Sequence, residues 1–237
     1  MQIRIGLETN VEGRSLAWAL DFPGCFAYGA DNREALVEIP QALLLYQAWI
    51  AGHDRAAVHP LDDFDVRLVE VWEGYALNDR YEVTREGGHA VNAWFREDWL
   101  PLTRVEVQHG LRLLQWSRED LLETVAGARP GLMEAQFPGE RWSIAGILGH
   151  VGSAEWWYLD RLNLADVPRS QLSRDPVERM RQVRERLTAV LPELAGEERV
   201  TGKQGEWWSP RKLLRRALWH EMDHREHIRK LLVASDE

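Results

Sequence analysis

An α+β protein is predicted, with a small strand-rich domain at 1–100 followed by an all-α domain at 101–237. Three observations carry this reading. Apolar and polar residues alternate early in the chain, and from about Thr103 the apolar spacing becomes the four-and-three of helices. Gly, Pro, Asn and Ser clusters separate the segments of both kinds. A chain of 237 residues with 45% hydrophobic content can bury a core in one or two domains.

The elements follow in order. "QIRIGLE" sets Ile3, Ile5 and Leu7 against polar neighbours, and "GRSLAWALDF" alternates again after the turn signal "NVEG". "FPGC" breaks that run, and "FAYG" reads as a short third strand. "DNREALVEIPQALLLYQAWIAG" reads as a helix with Asp31 as N-cap and Glu34 three residues on, as in a capping box; Pro40 inside it predicts a kink. "FDVRLVEVW" reads as a returning strand. This β-β-β-α-β order places one helix on one face of a sheet. The stretch from Glu73 to Asp98 is connecting structure without an assigned form.

Four helical segments come next. "TRVEVQHGLRLLQWSREDLLETVAG" carries Val107, Leu111, Leu114, Leu121 and Val125 at four-and-three spacing. "WSIAGILGHVGSAEWWYLDRL" offers Ser143 as N-cap. "DPVERMRQVRERLTAVLPEL" and "SPRKLLRRALWHEMDHREHIRKLL" open with the N-cap and N1 pairs Asp175–Pro176 and Ser209–Pro210. Four amphipathic helices of about twenty residues, joined by loops, predict an antiparallel four-helix bundle.

Composition narrows the function. A net charge of −9 argues against a strongly basic nucleic-acid surface. Cys25 is the only cysteine, so no internal disulfide forms, as suits a reducing cytoplasm. "MQIRIGLETN" lacks the pattern of a signal peptide, and no apolar run approaches the ~18 residues of a membrane span. In "SRDPVERMRQVRER", Arg174, Arg179, Arg181, Arg184 and Arg186 alternate with Asp175, Glu178 and Glu185, which favours a solvated helix face over a phosphate site.

The chemistry lies on the last helix. Its core-facing seam reads Leu213, Ala217, His220, His224, His227 and Leu231, so imidazoles occupy three successive inward positions. A second seam reads Leu214, Leu218, Glu221, Arg225, Ile228 and Leu232. In the second helix the matching seam reads Ser143, Ile147, His150, Ala154 and Trp157, with Gly146, Gly149 and Gly152 nearby. Three glycines in seven residues, each costing ~1 kcal/mol of helix propensity, imply a close neighbour or room for a ligand. Residues four apart on a helix hold their Cβ atoms about 5–6 Å apart, which lets His220 and His224 converge on one ion with His150 as a third ligand. Three neutral ligands leave an open coordination position, the mark of a catalytic site. His227 pairs with His224 or stands behind the ligands facing a substrate. The competing reading makes each histidine a hydrogen-bonded core residue, and three on one seam strain it.

The second half resembles the DinB-like superfamily of four-helix metalloproteins, through "WSIAGILGHVGSAEWWYLDRL" with His150 and "LWHEMDHREHI" with its HxxxH, over roughly Leu102 to Leu232. The resemblance implies a divalent metal, commonly nickel or zinc, on His150, His220 and His224. It also implies, for some members, transfer of a low-molecular-weight thiol onto a small electrophilic substrate, and often a homodimer. On that reading Trp156, Trp157 and Trp219 are candidate pocket walls, with core packing as the alternative for each. Glu155 and Glu221 are candidates to orient a ligand or move a proton; salt bridges with arginines such as Arg161 or Arg225 are the favoured alternative. The first half resembles the HicB-like antitoxin fold, through "LAWALDFPGCFAYGADNREALVEIPQALLLYQAWI", over about Ile3 to Trp72. No DNA-binding segment accompanies it. Cys25 in "PGC" reads as a small buried residue at a turn rather than a reactive thiol.

Two functions of different class follow. One is a metal-dependent enzyme, a thiol S-transferase or a hydrolase-like activity on a small molecule. The other is a non-catalytic binding or regulatory protein, in which the HicB-like part engages a partner and the metal is structural. Neither involves a membrane.

Overall fold

The computed structural model describes residues 1–59, 61, 63–85, 87–129 and 131–235. The chain forms two compact units, one of Met1–Leu100 with Gly202–Trp208, the other of Pro101–Thr201 with the chain from Ser209 onward. Assignment of Gly202–Trp208 to the first unit departs from a single division at residue 100. Among the described residues, no helix is long and apolar enough to cross a membrane.

The first unit begins with β1 (Gln2–Val11), β2 (Arg14–Ala19), β3 (Phe26–Gly29), α1 (Asn32–His53) and β4 (Asp65–Glu73). Their sheet runs β3-β2-β1-β4, antiparallel except that β4 lies parallel to β1. The alternation of β1 buries Ile3, Ile5 and Leu7, and α1 buries Ala35, Ile39, Leu43, Tyr46 and Ile50. The Asp31 carboxylate caps α1 by accepting from Glu34 N at 2.9 Å, while the Glu34 carboxylate accepts from Ala30 N at 2.7 Å, one residue before the position a capping box uses. α1 continues as one helix through Pro40, which removes one backbone donor without ending it. Gly29 has a steric cause: a Cβ there would stand 2.1 Å from Ala35 N. Burial pushes the Cys25 thiol well up, which suits an inert residue.

The segment from Glu73 to Asp98 contains β5 (Ala76–Leu77), β6 (Val83–Thr84) and β7 (His89–Ala90), in the order β6-β5-β7. Its tail is tied to the later residues of the same unit through Glu206. That carboxylate, 3% exposed, accepts from Asn92 N at 3.2 Å, Asn92 Nδ2 at 3.0 Å and Trp208 Nε1 at 2.8 Å.

The second unit contains α2 (Arg104–Ala126), α3 (Ile144–Arg161), α4 (Pro176–Val190) and α5 (Pro210–Ala234), with the short strands β8 (Thr201–Lys203) and β9 (Glu206–Trp208) falling between α4 and α5 in the chain. Hydroxyl or carboxylate caps start every helix: Thr103, Ser143, Asp175 and Ser209 each accept from the backbone N–H three residues on. Thr103 and Glu106 close a full capping box. Leu121, Ile144, Ile147, Leu148, Val151, Met180, Ile228 and Leu231 share one apolar core. Gly152 lets α4 approach α3, since a Cβ there would lie 3.1 Å from Met180 N.

At the middle of these helices lies a closed ring of charge. Arg118 of α2 donates to Glu155 of α3 at 2.8 Å and to Glu221 of α5 at 2.6 Å. Arg184 of α4 donates to the same two carboxylates at 2.6 and 3.1 Å. The spare guanidinium nitrogens are satisfied by Met180 O and Leu114 O. All four side chains are buried and the ring is neutral. Burial alone would raise the Glu221 carboxyl, but Arg184 and Arg118 outweigh it and hold it below its ordinary value. The reading of Arg184 as part of a solvated face is therefore corrected. Arg181, exposed and paired with Glu178 and Glu185, fits that reading.

Removing one member would leave an uncompensated buried charge. Arg184→Met is expected to destabilise the protein by about 3–5 kcal/mol, whereas replacing all four members with apolar residues of similar volume is expected to cost far less. Urea unfolding of both variants checks this; equal losses would contradict it.

Candidate metal centre

His150 lies near the middle of α3, and His220 and His224 stand one turn apart on α5. The structure brings the three imidazoles together. His220 Nε2 lies 3.1 Å from His150 Nε2 and 3.2 Å from His224 Nε2, and one nitrogen from each ring falls within 4.8 Å of the others. Two nitrogens bound at ~2.1 Å to a tetrahedral ion stand about 3.4 Å apart, and about 3.0 Å apart at right angles. The two spacings about His220 fall between these values, and an all-nitrogen donor set suits zinc, nickel or copper better than calcium or magnesium.

Electrostatics favour neutral rings. Burial, followed by the neighbouring histidines, pushes His220 well below its ordinary value and His224 down to about 3. Burial and then the charges of Arg141 and Arg169 lower His150. Neutral imidazoles present lone pairs at neutral pH, as a cation requires. His224 Nδ1 is buried without a hydrogen-bond partner among the described residues, so packing orients that ring. The His220 ring stands nearly perpendicular to it, centroids 4.4 Å apart.

Local sequence explains which rings pack against the imidazoles. Trp142, just ahead of the Ser143 cap, stacks on His150 with centroids 4.6 Å apart and planes at 24°. Gly146 leaves space for it, since a Cβ there would meet Trp142 Cβ at 2.9 Å. Trp219 and Tyr158 stand beside His220, with centroids 5.8 and 6.1 Å away. Sequence reasoning did not single out Trp142, because a residue ahead of an N-cap has no place in the helical spacing that marks a core-facing seam. Of the proposed wall residues, Trp219 adjoins the cluster. Trp156 donates instead to Val167 O at 2.9 Å, and Trp157 packs against Tyr158 beneath the Arg161 guanidinium.

The remaining candidates divide. His227 stands outside the three-nitrogen cluster, its ring centroid 6.1 Å from that of His224 and its Nε2 2.9 Å from Glu140 Oε2, with both side chains about one-third exposed. Glu155 and Glu221 belong to the buried ring, each held by two guanidiniums, which suits holding helices rather than proton transfer. Their partners are Arg118 and Arg184. Arg161 and Arg225, the arginines suggested by sequence, pair with Asp160 and Asp120. The ring still bears on the centre, because Glu221 follows His220 directly and Glu155 lies little more than a turn beyond His150.

Comparison with known families gives one match: residues 113–228 fit the DinB superfamily. That span, just under half of the chain, includes His150, His220 and His224. No curated protein and no solved structure matches the chain.

Stability of chelator-treated protein is expected to fall as pH drops from 6.5 toward 4. Unfolded imidazoles take up protons below about 6.5, whereas the folded rings resist protonation until much lower pH, so the unfolded state binds more protons in that window. Urea midpoints at pH 7.5 and 5 check the sign, and His220→Leu is expected to flatten the slope.

Proposed function

We propose that the helical unit is a divalent-metal-dependent enzyme of the DinB-like type, with His150, His220 and His224 as ligands and a small-molecule thiol transfer as its reaction. The observation that carries this reading is the convergence of three imidazole nitrogens from two helices within 4.8 Å, one ring buried and two part-buried, all favouring the neutral form. The superfamily match over the same residues supports it. Nickel or zinc suits the donor set.

When bound, such an ion acidifies a thiol or water brought to its open position. The chain's own residues do the rest. Trp142 over His150, and Trp219 and Tyr158 beside His220, limit water around the rings. His227, hydrogen-bonded to Glu140 at the edge, is the imidazole free of the ligand set and placed to hold or release a proton at Nε2.

One observation favours the second reading, a binding role for the first unit, here taken as HicB-like. Its cysteine is buried, while Leu68, Val69 and Val71 on β4 and Val37, Leu44 and Leu45 on α1 are exposed apolar residues. Such surface suits association with a second copy of the chain. The two roles are compatible within one chain.

Protein purified without a histidine tag is expected to hold about one nickel or zinc per chain by elemental analysis, and His220→Ala to lower that occupancy at least tenfold. Incubated with a thiol and a haloaromatic electrophile, the metal-loaded protein is expected to form the thioether, releasing halide and a proton. Rates indistinguishable from those of His220→Ala would defeat the enzymatic reading, and a metal-free native protein would defeat the metal site itself.

A further inference from the structure

Some arginines of the chain pair with carboxylates, among them Arg4 with Asp21 and Glu97, Arg181 with Glu178 and Glu185, Arg211 with Glu106, Arg225 with Asp120, and Arg229 with Glu226, while Arg33, Arg55, Arg104 and Arg174 have no ion pair among the described residues. In a chain of net charge −9, acids are plentiful enough to supply such partners. What sets two arginines apart is their place near His150. Arg141 and Arg169 are exposed, and among the described residues neither guanidinium has a hydrogen bond or an ion pair. Arg179 is also without a carboxylate there, since it donates only to Ser173 O, Gly149 O and Ser153 Oγ.

Geometry ties the two unpaired arginines to the centre. The Arg141 guanidinium carbon lies 4.6 Å from the centroid of the Trp142 ring, which itself stacks on His150. Arg169 sits in a short turn, Arg169–Gln171, between α3 and α4. That connection doubles back along α3. Trp156 Nε1 holds Val167 O at one point, and Pro176 reaches Gly149 at another, a Cβ there lying 3.7 Å from Pro176 Cβ. Arg169 lies in the chain between these two anchors, and His150 follows Gly149, so both arginines are near enough for their charge to act on its imidazole. The nearby carboxylate of Glu140 is engaged by His227.

We infer that Arg141 and Arg169 form an oxyanion-binding rim for the metal centre, whose substrate is a small molecule bearing a carboxylate, sulfonate or phosphate beside its reacting atom. The inference rests on the metal-centre reading for the identity of the reacting end. Guanidiniums suit the anionic end because each offers a planar fork of donors to two oxygens. Two positive charges on one rim also raise the local concentration of anions against the negative field of the rest of the chain.

The test compares 3-mercaptopropionate with 3-mercaptopropanol, which share the thiol and chain length and differ in charge. Calorimetric titrations are run on the metal-loaded and chelator-treated protein and on R141Q/R169Q, with metal counted in each sample. The carboxylate is expected to bind at least tenfold more tightly than the alcohol to the wild type. That preference should fall below about threefold in R141Q/R169Q, and shrink in the wild type as salt rises toward about 0.5 M, where screening is strong. Equal affinities in the wild type, no binding of either probe, or a preference that survives in R141Q/R169Q would overturn the rim, whatever the metal content. A native protein without metal overturns the metal reading separately, and the charge preference of the apoprotein then decides the rim alone.

Discussion

The second unit depends on the ring formed by Arg118, Glu155, Arg184 and Glu221, one residue from each of its four α-helices. A buried charge is tolerated only when paired and hydrogen-bonded, and here each carboxylate accepts from both guanidiniums. The ring therefore selects one mutual placement of α2, α3, α4 and α5. Sliding α5 by one turn, about 5.4 Å, would strand Glu221 and leave Arg118 and Arg184 sharing the one carboxylate of Glu155, an uncompensated buried charge. His150 and His220 ride on α3 and α5, so the registry that satisfies the ring also decides whether their nitrogens can meet. Apolar side chains alone would tolerate more positions, because hydrophobic contact is non-directional.

Much of this was legible from spacing. On α3 and α5 one seam carries the imidazoles and the adjacent seam carries Glu155 and Glu221; the structure gathers His150, His220 and His224 and buries both carboxylates, while His227 stays about one-third exposed. The four N-caps, Asp31 and Ser143 among them, were legible because capping needs one side chain at a fixed offset. The cationic half of the ring was harder to see, although a signal was present. Arg118 fills the gap between Leu114 and Leu121 in the four-and-three series of α2, and Arg184 lies between Met180 and Leu187 on α4. An arginine at an inward position reads as an exception until its carboxylates are known, and these come from residues 29 to 103 positions away in the chain. Long-range pairing is what a single sequence conceals. Trp142 escaped for another reason: its place on the imidazole depends on the missing Cβ of Gly146, and a glycine that implies a close neighbour or room for a ligand does not say which side chain fills the space.

In the first unit, the β-β-β-α-β order followed from alternation and one capping signal, whereas the small sheet of β5, β6 and β7 did not. Strands of two residues have no period to detect. That region is organised by Glu206, more than a hundred residues downstream of Asn92, whose carboxylate satisfies two donors of Asn92 and one of Trp208. The segment that completes this unit interrupts the helical one between α4 and α5, so a division of the sequence by composition could not place it.

The charge around the three imidazoles is arranged in layers that perform different tasks. Closest to the helix axes, the ring has two positive and two negative members at hydrogen-bond distance, so it contributes little net field. The imidazoles are kept neutral by burial, which preserves their lone pairs. Farther out, Arg141 and Arg169 are without an ion pair among the described residues, in exposed positions where solvation makes them inexpensive to maintain. A cation at the three nitrogens would reinforce that positive rim, so the site would favour an anion most strongly when it is loaded. Placing the neutralised charges inside and the uncompensated ones at the mouth lets one pocket stay stably folded and still attract an oppositely charged ligand. The opposite order would bury an unpaired cation and destabilise the helices that carry the histidines.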